Sequence, residues 1–154
     1  MKKTLALLLA LCMVFALCAC GTSATELKYA TGGTSGTYYG FSGVIANVLN
    51  EKLKGTLNLK VESTGASKAN IQMIASGDAD IAIVQNDVMY YAFTGTDLFA
   101  ESGAITGFSA VCSCYPEYVQ ILAKKDITSI EQLAGKNVSV GDAGSGTEIG
   151  RAHV

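Results

Sequence analysis

The stretch ELKYATGGTSGTYYGFSGVIANVLNEKL, residues 26–53, decides the fold class of this chain. It begins with the alternating side chains of a strand, which end at two adjacent glycines. A run of apolar residues at helical spacing follows, and Gly55 stops it. The predicted inward stripe of that helix consists of Phe41, Val44, Ile45, Val48, Leu49 and Leu53.

The next segments repeat this order. LNLKVEST (57–64) returns to strand periodicity, and ASKANIQMIASG (66–77) is predicted to be a helix with Ile71, Ile74 and Ala75 facing inward. IAIV (81–84) is a short apolar run, typical of a strand buried on both faces of a parallel sheet. The alternation of strands and helices predicts an α/β fold with a largely parallel sheet flanked by helices.

The later part of the chain is predicted to begin a second α/β unit. Two apolar strands are expected at 108–114 and 118–123, on either side of Pro116. A short helix with Ile130 and Leu133 inward, the strand NVSVG (137–141) and a glycine–serine loop at 144–147 should follow.

The amino-terminal residues have the pattern of an export signal. MKK is followed by the apolar run TLALLLALCMVFALCA, too short for a comfortable membrane span. The signal ends in LCAC, which resembles the lipobox of bacterial lipoproteins, so Cys20 is predicted to carry acyl chains that anchor the protein to the outer face of a membrane. A secreted protein that is cut elsewhere is the alternative.

Charge and cysteine content narrow the function classes. From residue 21 onward there are nine basic and thirteen acidic residues, so nucleic acid is not an expected partner. Cys112 and Cys114 are predicted to be buried, reduced thiols, since a strand places them poorly for bonding to each other. We expect no metal and no cofactor, and no nucleophile has a base partner, so the chain is expected not to be an enzyme.

Polar, glycine-containing loops follow the three predicted strands: TGGTSGTYY, STGASKAN and QND. The carboxyl ends of parallel strands share one edge of the sheet, where ligands gather and helices begin. Helix N-termini attract anions, so these loops are predicted to hold a carboxylate or a similar anion. Alternatively, Thr34, Ser35 or Thr37 are ordinary helix caps in plain turns. The loop TGGTSGTYY has no lysine for a P-loop, and its glycine spacing does not fit a dinucleotide fingerprint.

A family resemblance covers residues 26–148. The blocks YATGGTSGTYYGFSGVIANVLNE, STGASKANIQMIASGDADIAIVQND, YPEYVQILAKKD and SIEQLAGKNVSVGDAGSGTE, in this order, resemble the TAXI group of TRAP-transporter solute receptors, which are related in shape to type II periplasmic binding proteins. The resemblance implies a two-lobed receptor that closes on a small organic acid or amino acid, such as glutamate or a dicarboxylate, and delivers it to a membrane permease.

The resemblance also implies the site residues. The first lobe would contribute Thr34, Ser35, Gly36, Thr37, Tyr38, Ser63, Thr64, Ser67 and Asn70, with Gln85 and Asp87 nearby, and the second lobe Ser145, Gly146 and Thr147. Asp87, Glu117 and Glu148 would either receive an ammonium group or brace the loops. Other TRAP receptors commonly clamp a carboxylate with arginine, whereas here recognition would depend on helix ends, hydroxyls and amides.

The predicted division of the chain is a signal peptide (1–19), a lipidated linker (20–25), a first lobe (26–124), the start of a second lobe (125–148) and a non-native tail (149–154). The tail IGRAHV matches a translation of a sequencing-adapter oligonucleotide, so Arg151 and His153 are given no role. Half a receptor would leave the cleft open and is expected to fold poorly. Two other functions stay open: the receptor lipoprotein of an ATP-driven (ABC) importer, and an oxidoreductase that binds a nucleotide at VGDAGSGTEIG (140–150).

Overall fold

A computed structural model of the chain describes residues 24–141, 143 and 145–148. The predicted signal peptide, the lipidation site Cys20 and the predicted tail at 149–154 lie outside the described residues. Asp142 and Gly144 of the glycine–serine loop also lie outside them.

The centre of the fold is a three-stranded parallel sheet. Its strands are β1 (Thr25–Ala30), β2 (Leu57–Glu62) and β3 (Ile81–Ala82), in the spatial order β2-β1-β3. Tyr29 of β1 pairs with Val61 on one side and with Ile81 on the other. The predicted α/β class and the parallel sheet are confirmed.

Three α-helices alternate with the strands. They are α1 (Thr37–Lys52), α2 (Ser67–Ser76) and α3 (Asn86–Thr94), and short 3₁₀ turns lie at Asp97–Phe99 and Ile130–Leu133. The glycines that follow α2 and α3 adopt the left-handed conformation that commonly ends a helix. Helix α1 begins inside the predicted glycine-rich loop, and α3 was not predicted from the sequence.

The strand order creates a switch point beside β1. The chain passes from β1 to the neighbouring β2, and then crosses back over β1 to β3. Right-handed crossovers in these opposite directions put α1 and α2 on opposite faces of the sheet. A switch point of this kind is where α/β sheets commonly place a ligand, at the carboxyl ends of the strands.

The main apolar core lies under α2 and α3. Ile71, Val88, Ala92 and Phe99 are buried together, and half-buried side chains such as Met89 and Phe108 pack against them. Burying each large apolar side chain stabilises the fold by about 1.5–3 kcal/mol. The core thus fixes α3, and with it the loop that connects β3 to α3.

The predicted inward faces of two helices were wrong in part. On α1, Val44 is 64% exposed and Val48 and Leu53 are also exposed, whereas the small residues Ser42 and Ala46 are buried. Small side chains let this helix lie close to the sheet, and of the larger predicted residues Phe41, Ile45 and Leu49 are half-buried. On α2, Ile71 is buried as predicted and Ile74 half-buried, whereas Ala75 is exposed.

The strands predicted at 108–114 and 118–123 do not form, and neither does the predicted strand NVSVG. Residues 108–124 are irregular, and apart from Phe108 and Tyr115, which are half-buried, their apolar side chains stand in solvent, with Leu122 97% exposed. A strand needs a neighbour that accepts its hydrogen bonds, and within the described residues no segment pairs with these. The predicted helix near Ile130 is only a 3₁₀ turn, with Ile130 exposed.

The prediction of buried thiols was also wrong. Cys112 and Cys114 are free, as predicted, but both are exposed. Because the segment that carries them forms no strand, both side chains stand largely in solvent.

Candidate functional site

Two of the three predicted loops join directly at the carboxyl edge of the sheet. Thr31 follows β1, and both its main-chain N–H (3.1 Å) and its hydroxyl (2.7 Å) donate to the carbonyl oxygen of Glu62 at the end of β2. In return, Thr64 donates its N–H to the carbonyl oxygen of Gly32 at 3.3 Å. The sheet ladder therefore continues past the strands and holds the two loops side by side.

Asn70, in the first turn of α2, ties all three loops together. Its amide nitrogen donates to the carbonyl oxygens of Thr31 (2.6 Å) and Ile83 (2.8 Å), one after β1 and one after β3. Its amide oxygen accepts from the hydroxyl of Thr64, which lies after β2, at 2.5 Å. Asn70 is fully buried, and with these three bonds its hydrogen-bonding groups are satisfied.

Ser67 has a second bridging position at the start of α2. Its hydroxyl oxygen accepts from the main-chain N–H of Gln85 at 3.2 Å and lies 3.5 Å from the hydroxyl of Tyr38. Ser67 is fully buried as well. Both Ser67 and Asn70 are thus positioning residues for the loops, and direct contact of either with a ligand stays a prediction.

The helices begin at these loops without side-chain caps. The N-cap residues of α1, α2 and α3 are Gly36, Ala66 and Gln85, and none of them makes a side-chain capping bond. In α3 the carboxylate of Asp87 accepts from the N–H of Val88 at 2.7 Å. The first turns of α1 and α2 therefore present main-chain N–H groups and positive dipole ends at one edge of the sheet.

Ala66 holds a strained backbone conformation at this edge. Its φ of 66° and ψ of −148° belong to a region that is essentially reserved for glycine. The N–H of Ala66 donates to the hydroxyl of Thr64 at 3.1 Å, which helps to hold this conformation. Strain of this kind costs about 1–3 kcal/mol, and it directs α2 so that Ser67 and Asn70 reach the other loops.

An aromatic and acidic wall next to Tyr38 consists of Phe41, Tyr115 and Glu117. Burial raises the pKa of Tyr38 to about 12, and the nearby carboxylates of Glu117 and Asp87 contribute to this rise. The ring of Tyr115 packs edge to face on Phe41 with 4.9 Å between centroids, and its hydroxyl donates to Glu117 at 3.3 Å. Burial and Glu117 also raise the pKa of Tyr115.

The glycine–serine turn reaches the loop after β3. A methyl group placed on Gly146 would overlap the side-chain amide of Gln85, so the two residues are in close contact. The buried hydroxyl of Ser145 accepts from the N–H of Glu148 at 3.3 Å, at the start of the helical residues 146–148. Gly146 of this turn is thus brought next to Gln85 of the loop after β3.

The remaining predicted residues line the edge with different exposure. Thr64, Gln85 and Asp87 are half-buried, and the others stand open to solvent: Thr34, Ser35, Gly36, Thr37, Ser63 and Thr147. Exposed hydroxyls beside uncapped helix starts can donate to an oxyanion. Whether they do so stays a prediction.

The sequence analysis missed Thr31 and Tyr115. Thr31 is fully buried and joins β1 to β2 beyond the strands. The sequence did contain a signal for the role of Thr31. Thr31 comes one residue after β1 and Thr64 comes two residues after β2, and these two strands pair with each other. Tyr115 lies inside the quoted block YPEY, but nothing in the sequence indicates its contact with Phe41.

Two further observations concern other places where a metal ion or a solute could bind. Among the residues with described positions, no group of three or more His, Cys, Asp or Glu side chains is arranged to hold a metal ion. A hollow of about 310 Å³ between α3 and residues 108–110 is lined by apolar side chains and one phenol, so it offers little to orient a polar solute. The three-loop edge is therefore the candidate site.

The sheet order, the flanking helices and the position of the loops define the first lobe of a periplasmic-binding-protein-like fold. A family model described as the NMT1-like family matches residues 29–154. The chain belongs to the NMT1-like family, a periplasmic-binding-protein-like family related to solute receptors. Such binding proteins are usually extracytoplasmic, and none of the described helices has the length and apolar character needed to cross a bilayer.

Proposed function

We propose that this chain is a lipid-anchored, extracytoplasmic solute receptor of a TRAP-type transporter of the TAXI group. It binds a small organic anion or an amino acid, glutamate-like or dicarboxylate-like, and delivers it to a membrane permease. The family match supports the receptor class, and the ordered motif blocks support the TAXI group. The lipobox-like LCAC supports the anchor at Cys20.

The proposed ligand class rests on one observation. The helices α1 and α2 begin without a side-chain cap at the edge of the sheet where several hydroxyl groups are exposed. Each favourable contact between an anion and a helix N-terminus contributes about 0.3–1 kcal/mol, and two or more add up. The carboxylate of the solute would lie at the starts of α1 and α2, near Thr34, Thr37 and Ser63. An ammonium group would meet Glu117 or Asp87, both close to Tyr38.

The proposed role is binding without catalysis. The chain contains one histidine, His153, so a cysteine–histidine pair would require that terminal residue. The buried hydroxyl of Ser67 accepts a main-chain N–H instead of donating to a base. The chemistry at this edge is therefore recognition by dipoles and hydroxyls.

A thermal-shift screen of the full chain against dicarboxylates, amino acids and oxo acids tests the proposal. A stabilising ligand should lose its effect when Thr34→Val and Thr37→Val are combined. Thr56→Val, an exposed threonine at the opposite edge of the sheet, serves as the control and should keep the full shift. Stabilisation by none of these solutes, or by NAD(P) instead, contradicts the proposal.

The receptor of an ABC importer is the second candidate, because the family match identifies the receptor class and both importer types use such receptors. The two differ in the membrane partner. A neighbouring gene for a large permease supports the TRAP assignment, and a neighbouring gene for an ATPase supports the ABC importer.

A further inference from the structure

Two exposed thiols follow each other closely in the segment that leads to Tyr115, and neither is among the residues predicted to contact the solute. Cys112 and Cys114 are both free and exposed. They are separated by a single residue, and Tyr115, which contacts Phe41 of α1, follows directly. Accessible paired thiols are a site for thiol–disulfide chemistry.

The backbone permits the two cysteines to approach each other. In a strand their Cα atoms would be roughly 6.6 Å apart, from a rise of about 3.3 Å per residue. This is close to the upper end of the separation of about 4.4–6.8 Å that disulfides tolerate. Residues 108–124 form no strand, so no ladder of hydrogen bonds holds this segment extended.

The two thiols already influence one another. Burial is the largest cause that raises the pKa of Cys114, and the charge and hydrogen bonding of Cys112 raise it further. Burial likewise raises the pKa of Tyr29, and both cysteines add to that rise. A raised pKa leaves less of the nucleophilic thiolate at neutral pH, so disulfide exchange at this pair should be faster at alkaline pH.

We propose that Cys112 and Cys114 form a dithiol site that a small-molecule disulfide oxidises to an intramolecular disulfide. One cysteine thiolate attacks a sulfur atom of the small disulfide and releases one thiol. The other cysteine then attacks the mixed disulfide and releases the second thiol. The protein loses two protons and two electrons, and the small disulfide is reduced to two thiols.

The location of the pair gives the reaction a consequence for binding. Ring closure over Ser113 shortens the segment next to Tyr115, whose ring packs on Phe41 and whose hydroxyl donates to Glu117. Oxidation should therefore move the aromatic and acidic wall beside Tyr38. This consequence rests on the proposed function, whereas the dithiol chemistry does not.

The chemistry is tested on the full chain with oxidised glutathione, followed by alkylation of the remaining thiols under denaturing conditions. Trypsin releases residues 69–124 as one peptide with both cysteines. After oxidation this peptide should carry no alkyl group and weigh two hydrogens less than its reduced form. Dithiothreitol should restore two alkylated sites. The Cys112→Ser variant should instead retain glutathione on Cys114.

Two glutathione adducts on the parent peptide, two unreacted thiols, or disulfide-linked dimers would each overturn the proposal. A solute-induced thermal shift on the reduced and oxidised forms is measured separately. If the disulfide forms and neither form responds to any solute, the dithiol site stands and the proposed function fails. If solutes bind and the disulfide does not form, the dithiol site fails alone.

Discussion

The side-chain amide of Asn70 donates to the main-chain oxygen of Thr31 across a 2.6 Å hydrogen bond. The same nitrogen reaches the main-chain oxygen of Ile83 at 2.8 Å, so one side chain joins the loops after β1 and β3. The arrangement places a helix start, a strand end and a buried polar group at the switch point of the sheet.

Replacing Asn70 should cost much of the stability of the fold. Asn70→Ala leaves the Thr31 and Ile83 carbonyls without this donor in a buried place, at a cost of roughly 2–4 kcal/mol in the free energy of unfolding. Gln72→Ala, an exposed amide on the same helix, is the matched control and should change little. Urea denaturation measures both. Equal effects of the two variants would show that Asn70 does not join the loops.

Removing the strain at Ala66 should stabilise the protein. Ala66→Gly relieves a conformation with φ of 66°, with a net gain of up to about 1 kcal/mol after the entropy that glycine costs. Ala75→Gly, at the exposed penultimate residue of the same helix, should lose up to about 1 kcal/mol. Opposite signs in thermal denaturation are the expected result. If both variants are destabilised alike, Ala66 is not strained.

The contact of Gly146 with Gln85 should appear in a double-mutant cycle. Gly146→Ala places a methyl group where the Gln85 amide lies, so hydrogen exchange at residues 85–87 should rise. Gln85→Ala makes room, and the double variant should exchange more slowly than Gly146→Ala alone. Gly43→Ala, which meets nothing within 4 Å, is the control. Additive effects would place the glycine turn elsewhere.

The titration of the Tyr38 phenol should lower the free energy of unfolding at alkaline pH. Its pKa is raised from 10.0 to about 12 in the folded protein. The folded state therefore retains a proton that the unfolded state releases, and stability is unchanged below pH 10 and falls between about 10 and 12. Tyr38→Phe should show a smaller loss over this window in urea denaturation than the parent. An identical loss would contradict the burial of this phenol.

Glu117 should affect the same titration, because its carboxylate lies next to the phenol of Tyr38. Its carboxylate contributes to the raised pKa of Tyr38, after burial, so Glu117→Gln should lower that pKa. Tyrosinate absorbance followed during alkaline titration measures the change, with Tyr38→Phe identifying the phase. An unchanged titration would mean that residues 115–117 do not lie against α1.

The sequence predicted the first half of the fold well because its local signals agree with one another. Alternation in β1 and β2, glycine stops after the helices and the apolar run of β3 all point to one parallel sheet. The inward face of α1 could not be predicted from hydropathy, since Ser42 and Ala46 are buried for their small size while Val44 is exposed. On this helix the size of a side chain decides its burial more than its hydropathy does.

The sequence predicted the three loops that form the candidate site. It could not predict which residues of these loops contact a ligand and which hold the loops together. The family resemblance implies Asn70 and Ser67 as ligand residues, whereas their hydrogen bonds in the structure hold the loops. A polar residue in the first turn of a helix has the same pattern for either role, and only its partners decide. Residues 108–124 read as strands by composition, but strand formation depends on a neighbouring strand that the segment itself does not encode.

The most direct measurement is amide NMR of the full chain during titration with glutamate and with a dicarboxylate. We expect the largest saturable chemical-shift changes at the main-chain N–H groups of residues 34–39 and 63–69. Smaller changes are expected at Gln85 and Gly146. Asn47, exposed on the far part of α1, should not respond. Saturable shifts centred on residues elsewhere, or none with any carboxylate, would contradict the claim that helix starts at this sheet edge bind the solute.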